Sequence, residues 1–119
     1  GTDATVFATG VVVAEAIKAK EALEKEGIHI RVVDMHTIKP IDKDIIVKSA
    51  KETKKLISIE DHSVVGGLGS AIAEVLTEEY PCKLCRMGIK DTFGKSGNAV
   101  ELLKYFGLTS ENIIKCLKN

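Results

Sequence analysis

Residues 56–76 read LISIEDHSVVGGLGSAIAEVL. The apolar run Leu56 to Ile59 stops at the acidic pair Glu60–Asp61, and a polar turn follows with Gly66, Gly67 and Gly69. An amphipathic pattern then sets Leu68, Ile72, Val75 and Leu76 on one helical face. Strand, glycine turn and helix together place backbone N–H groups at a helix N-terminus, where an anion can be held. The details count against a nucleotide loop. GGLG is not G-x-G-x-x-G, and no Walker lysine with a Ser/Thr follows it. Gly94-Lys95-Ser96 has the tail of a Walker motif, but Ile89 stands where its upstream glycine is required. The reading for Gly66, Gly67 and Gly69 is therefore close helix–strand packing with positive φ. Asp61, near the start of that helix, suits its dipole.

Outward from this stretch, strand and helix patterns alternate. Ala4 to Ala8 reads as a buried strand ended by Thr9–Gly10. A helix to about Glu26 follows, with the stripe Val12, Ala16, Ala19 and Leu23, and stops at Gly27. Glu21 and Lys25 form an i,i+4 pair on its wet side. Ile28 to Val33 is the second strand and Met35 to Pro40 a connection. Asp42 is the N-cap of a helix reaching about Glu52, and Leu56 to Ile59 is the third strand. Lys83 to Gly88 is the fourth strand, and Ile89 to Gly97 a loop. Asn98 with Glu101 makes a capping box for a helix ending near Gly107. Thr109 caps a last helix carrying Ile113, Ile114 and Leu117.

Strands that alternate with helices pair in parallel, because each crossover helix must cover the sheet. Right-handed crossovers favour a doubly wound sheet in the order 2-1-3-4. Its switch point lies between strands 1 and 3. The candidate ligand crevice there comprises Thr9, Gly10, Asp61, His62, Gly66 and Gly67, with Gly69 and Ser70 at the helix start.

Composition bounds the function. The 119 residues form one domain, with 45% hydrophobic and 29% charged residues. Seventeen basic and 17 acidic residues leave no net charge. That balance disfavours binding driven by bulk charge to nucleic acid or an anionic membrane. No apolar run approaches the roughly 20 residues of a membrane span. The start, GTDATVFATG, lacks the basic region of a signal peptide and an initiator Met, so a piece of a longer polypeptide is expected.

Cys82, Cys85 and Cys116 are an odd number without secretory features, which points to reduced thiols and a cytoplasmic setting. Cys82-Lys-Leu-Cys85 matches C-x-x-C. Read as part of a strand, it sends the two side chains to opposite faces, so buried structural thiols are expected in place of a redox or zinc pair. Glu60, Asp61 and His62 could form an acid–base group, but no second cluster can be placed beside them. His29 and His36 are scattered and make no metal site. No catalytic set emerges.

Three blocks carry a resemblance. RVVDMHTIKPID (Arg31 to Asp42), ISIEDHSVVGGLGSAIAE (Ile57 to Glu74) and DTFGKSGNAVELLKYFGLTSENII (Asp91 to Ile114) resemble the C-terminal domain of transketolase, in order and across essentially the whole chain. The equivalent domains of 1-deoxyxylulose-5-phosphate synthase and of the 2-oxo-acid dehydrogenase beta subunit are alternatives. Ser96–Gly97, followed by Tyr105-Phe-Gly-Leu-Thr109, fits transketolase best, particularly its short or split forms. The resemblance implies a three-layer α/β/α domain with a mostly parallel sheet. It also implies an antiparallel edge strand before Asp3 that this sequence lacks, which would leave an edge open to self-association. It implies two-carbon ketol transfer between sugar phosphates, with thiamine diphosphate and a divalent metal held elsewhere in the parent enzyme. No catalytic, cofactor or metal residue transfers to this chain. The implied partners are the remaining transketolase domains or subunit, in a homo-oligomer, with a suspected regulatory ligand role as the alternative.

Overall fold

The structure, a computed structural model, describes residues 3–35, 41–63, 67–89, 104 and 107–118. Four strands form one sheet: β1 (Ala4–Ala8), β2 (Ile30–Asp34), β3 (Lys55–Ser63) and β4 (Cys85–Ile89). Their order is β2-β1-β3-β4, and every pairing is parallel. Among the described residues the α-helices are α1 (Val13–Glu24), α2 (Lys43–Glu52), α3 (Leu68–Glu79) and α4 (Ser110–Lys118). A 3-10 turn, Gly10–Val12, leads into α1.

Side-chain alternation along the strands sorts the core into two layers. Ala4, Val6 and Ala8 of β1 and Ile57 and Ile59 of β3 face α1 and α4. Phe7 of β1 and Leu56 of β3 face α2 and α3. A sheet covered on both sides buries whole strands, so all five residues of β1 are buried. The α1 stripe packs as its spacing requires: Val12, Ala16, Ala19 and Leu23 are fully buried. On the wet side the ion pairs are Glu15–Lys18 and Lys20–Glu24, in place of the expected Glu21–Lys25. Asp42 caps α2, its Oδ1 accepting from the Ile45 N–H at 3.2 Å.

The boundaries move where hydrogen bonding outruns hydropathy. β3 does not stop at Ile59 but continues through Glu60 and Asp61 to Ser63. Its pairing with β1 ends at Ile59, and beyond that it resumes with β4 at Ser63↔Ile89. Between Ile59↔Met87 and Ser63↔Ile89, four residues of β3 advance against two of β4, an irregularity that bends the strand end. β4 starts at Cys85 rather than Lys83, and β2 at Ile30 rather than Ile28. His29 precedes β2, where its N–H donates to Asp3 Oδ2 at 2.7 Å. His36, Pro40, the 89–97 loop beyond Ile89 and the Asn98–Glu101 capping box lie outside the described residues.

Candidate functional site

In a doubly wound sheet the carboxyl ends of the strands and the N-termini of the helices meet on one side. Here that side is lined by the chain's own carboxylates. Glu60, near the end of β3, is 1% exposed. Its Oε1 accepts from the Leu68 N–H and its Oε2 from the Gly69 N–H, each at 2.8 Å. These are the first N–H groups of α3. The position an anionic ligand would take at this helix start is held by Glu60 in a bidentate grip.

The same device recurs at the other helix starts. Glu15 of α1 reaches the start of α4, its Oε1 accepting from the Ser110 N–H at 3.1 Å. Asp42 serves α2. Asp61 lies beside the turn into α1, where a Cβ on Gly10 would fall 3.1 Å from its Oδ1. Glu60 and Asp61 are neighbours on β3, and Glu60 is the one that accepts from the first N–H groups of α3.

The glycines separate into distinct roles. Gly69 permits close approach: an added Cβ would meet Ser58 Oγ at 2.9 Å and Arg86 Nε at 2.8 Å. Ser58, fully buried beneath it, has no hydrogen-bond partner for its hydroxyl among the described residues. Gly67 is the α3 N-cap with φ −95°, so the positive φ expected there does not occur. Positive φ is found instead at Gly10 (63°), Gly27 and Gly107. Gly66 lies outside the described residues, and His62 is described as backbone of β3 only. Ser70 Oγ accepts from Arg86 Nη2 at 2.7 Å. Thr9 is 9% exposed at the end of β1. Of the crevice residues, Thr9, Gly10, Asp61, Gly67, Gly69 and Ser70 lie among the described residues, and Glu60 was missed as a cap. Strand parity held a signal for it, because Glu60 shares a face with Leu56, which packs against α3.

The cysteines depart from expectation. Cys85 and Cys116 form a disulfide, joining the start of β4 to α4. Cys82 is free and exposed, and partial burial pushes its thiol pKa up. The segment before Cys85 is not a strand, and the three buried reduced thiols expected from the sequence are not present.

A family profile described as "Transketolase, C-terminal domain" matches residues 1–113. This chain belongs to the transketolase C-terminal domain family. A "Putative transketolase C-terminal section" of Methanocaldococcus jannaschii is 51% identical over 116 residues, covering 97% of this chain and 36% of that protein. The solved "Split gene transketolase, inactive beta4 tetramer" superposes with a TM-score of 0.91 at 46% identity, covering 99% of this chain and 39% of that one. A 1-deoxy-D-xylulose-5-phosphate synthase of Heliobacterium modesticaldum is 40% identical over 116 residues, 97% of this chain and 18% of that protein. The chain thus spans little more than a third of the first two of these relatives and less than a fifth of the third.

Transketolase membership raises the question of thiamine diphosphate and its metal. A diphosphate needs open N–H donors or cations, and a divalent metal needs converging oxygen or imidazole ligands. The Leu68 and Gly69 donors at the start of α3 are taken by Glu60. No group of three or more His, Cys, Asp or Glu among the described residues can hold a metal. The start of α3 therefore offers a diphosphate no open Leu68 or Gly69 donor. No helix among those residues is long and apolar enough to cross a membrane.

Proposed function

We propose that this chain is the assembly domain of a cytoplasmic transketolase. The parent enzyme moves a two-carbon ketol unit between sugar phosphates in the pentose phosphate pathway, as a dimer. Thiamine diphosphate and the divalent metal are held by its remaining domains or by a separate subunit. The observation that carries this reading is Glu60 on the first N–H groups of α3. At the edge where an α/β sheet ordinarily binds its ligand, this domain binds itself. The split-gene relative, described as an inactive tetramer, supports the further reading that this chain does not turn over substrate without its partner.

The test is a ketol-transfer assay and thiamine diphosphate calorimetry on the chain alone and then with the rest of the enzyme. The expected result is no turnover and no cofactor heat alone, with both appearing on reconstitution. Micromolar cofactor binding by the chain alone would overturn the assignment. The rival reading, a regulatory anion site in the crevice, is disfavoured because Glu60 would have to be displaced from its buried position. The 40% identity to a 1-deoxy-D-xylulose-5-phosphate synthase keeps a second activity open to direct test. Synthesis of 1-deoxy-D-xylulose 5-phosphate by the complete enzyme, without ketol transfer, would replace the transketolase reading.

A further inference from the structure

The opposite, amino edge of the sheet carries a different concentration of chemistry. A cavity of about 440 Å³ opens there, with Leu56 and Ile57 among its apolar lining and the Cys85–Cys116 bridge in its wall. Lys54, Lys55 and Lys83 complete the lining. The volume falls within the range of small-molecule sites. Lys55 is engaged, donating to the Leu117 carbonyl in the last turn of α4. Lys54 and Lys83 are exposed and have no hydrogen bond or ion pair among the described residues.

Both bridge cysteines are half-buried and line the cavity, with the core packed behind them. An accessible disulfide is open to thiolate attack, and neighbouring cations favour both the attacking and the departing thiolate. The cations also select the attacker, because they draw in a thiol that carries negative charge of its own. We propose that the Cys85–Cys116 bridge is an exchangeable disulfide and that the lysine-lined cavity beside it binds a small anionic thiol.

In the first step the small molecule's thiolate attacks one bridge sulfur. A mixed disulfide forms, the Cys85–Cys116 bond breaks, and the other cysteine leaves as a thiolate. A second small thiolate attacks the small-molecule sulfur of that mixed disulfide. The symmetric small-molecule disulfide departs, and the second cysteine is released as a thiolate. Two small thiols lose two electrons to the bridge, and their two protons end on the two cysteines. Oxidation of the domain by the symmetric disulfide is the reverse.

The consequence is confined to α4. With the bridge open, α4 keeps its buried Ile113, the Glu15 cap on Ser110 and the Lys118–Glu26 ion pair. Reduction therefore loosens the helix from β4 without releasing it.

The test uses the full-length protein, purified without reductant, with peptide mass mapping to count thiols. Before reduction, Cys85 and Cys116 are expected in one cross-linked peptide pair. Opening rates are then compared for glutathione, which is anionic, and cysteamine, which is cationic, each normalised to its rate with a small reference disulfide. Glutathione should open the bridge about tenfold faster. That advantage should shrink with added salt and vanish in the K54Q/K83Q variant. In C116S, oxidised glutathione should leave a glutathione adduct on Cys85, the other glutathione departing as its thiolate. Two free thiols at Cys85 and Cys116 after treatment with oxidised glutathione would overturn the exchangeable bridge. Equal normalised rates for the two thiols, or a glutathione advantage unchanged in K54Q/K83Q, would overturn the anion-selective cavity. Retained ketol transfer by K54Q/K83Q in the complete enzyme shows that the variant folds, so that a lost preference is not a folding artefact.

Discussion

The two edges of this sheet handle charge in opposite ways. At the carboxyl edge, negative charge is spent on the fold itself: Glu60, buried, on α3, Glu15 on α4 and the exposed Asp42 on α2. At the amino edge, positive charge is turned outward, with Lys54 and Lys83 exposed around a cavity. Charge inside a fold must be matched by hydrogen bonds, while charge at the surface is free to meet something else. Topology marks the carboxyl edge as the ligand side of such sheets, yet here its donors are already satisfied. The contrast teaches that a switch point is a place where ligands can bind, and that side chains at the helix starts decide whether they do.

Four changes would break or sharpen this contrast, the largest first. Glu60→Ala removes both charge-assisted acceptors and strands two N–H groups in a buried site. It should cost about 3 kcal/mol, read as a lowered urea midpoint at constant m. A loss below about 0.5 kcal/mol would mean that the carboxyl edge does not depend on its internal anion. Gly69→Val should follow, at about 2 kcal/mol. Its Cβ would collide with Ser58 and Arg86, which outweighs the roughly 1 kcal/mol that leaving glycine returns to a helix. Thermal unfolding of the variant measures the balance, and a raised Tm would show that Arg86 swings aside at no cost.

Asp42→Ala should cost about 1 kcal/mol, the usual worth of an N-cap, measured by the same urea titration. The amino edge supplies the smallest effect. Arg31 hydrogen-bonds Glu52 at 2.8 Å and holds its carboxyl pKa below the ordinary carboxylate range. A depressed folded pKa gives stability that is present above the ordinary value and lost as pH falls through the folded one. Because Glu52 is exposed, the effect is slight. Urea midpoints followed down in pH should fall a little less steeply in Glu52→Gln than in the parent. Identical acid limbs would leave the amino edge without any pH-dependent pairing at this position.

Much of the carboxyl edge was legible because local rules govern it. The Val12–Leu23 stripe, the Asp42 cap, the strand order and the α3 face all rest on spacings within one element or on crossover handedness. What escaped detection spans elements. Glu60 reaches N–H groups eight and nine residues on, across a turn, and only the fold says which face of β3 meets α3. Glu15 and Ser110 lie 95 residues apart. The end of β3 was misjudged because hydropathy falls at Glu60 while the ladder continues. The disulfide was invisible for the same reason, since Cys85 and Cys116 are 31 residues apart and meet only when α4 docks.

The Glu15–Ser110 contact also has a bearing on synthesis. A ribosome adding about 5–20 residues per second takes roughly 5–20 s to travel from one partner to the other. Through that interval the α1 layer of the core lacks Leu108 and Ile113, both buried in the finished fold. The nascent chain therefore carries an uncovered apolar face until α4 emerges, and that interval is when a chaperone or a sister chain has access to it.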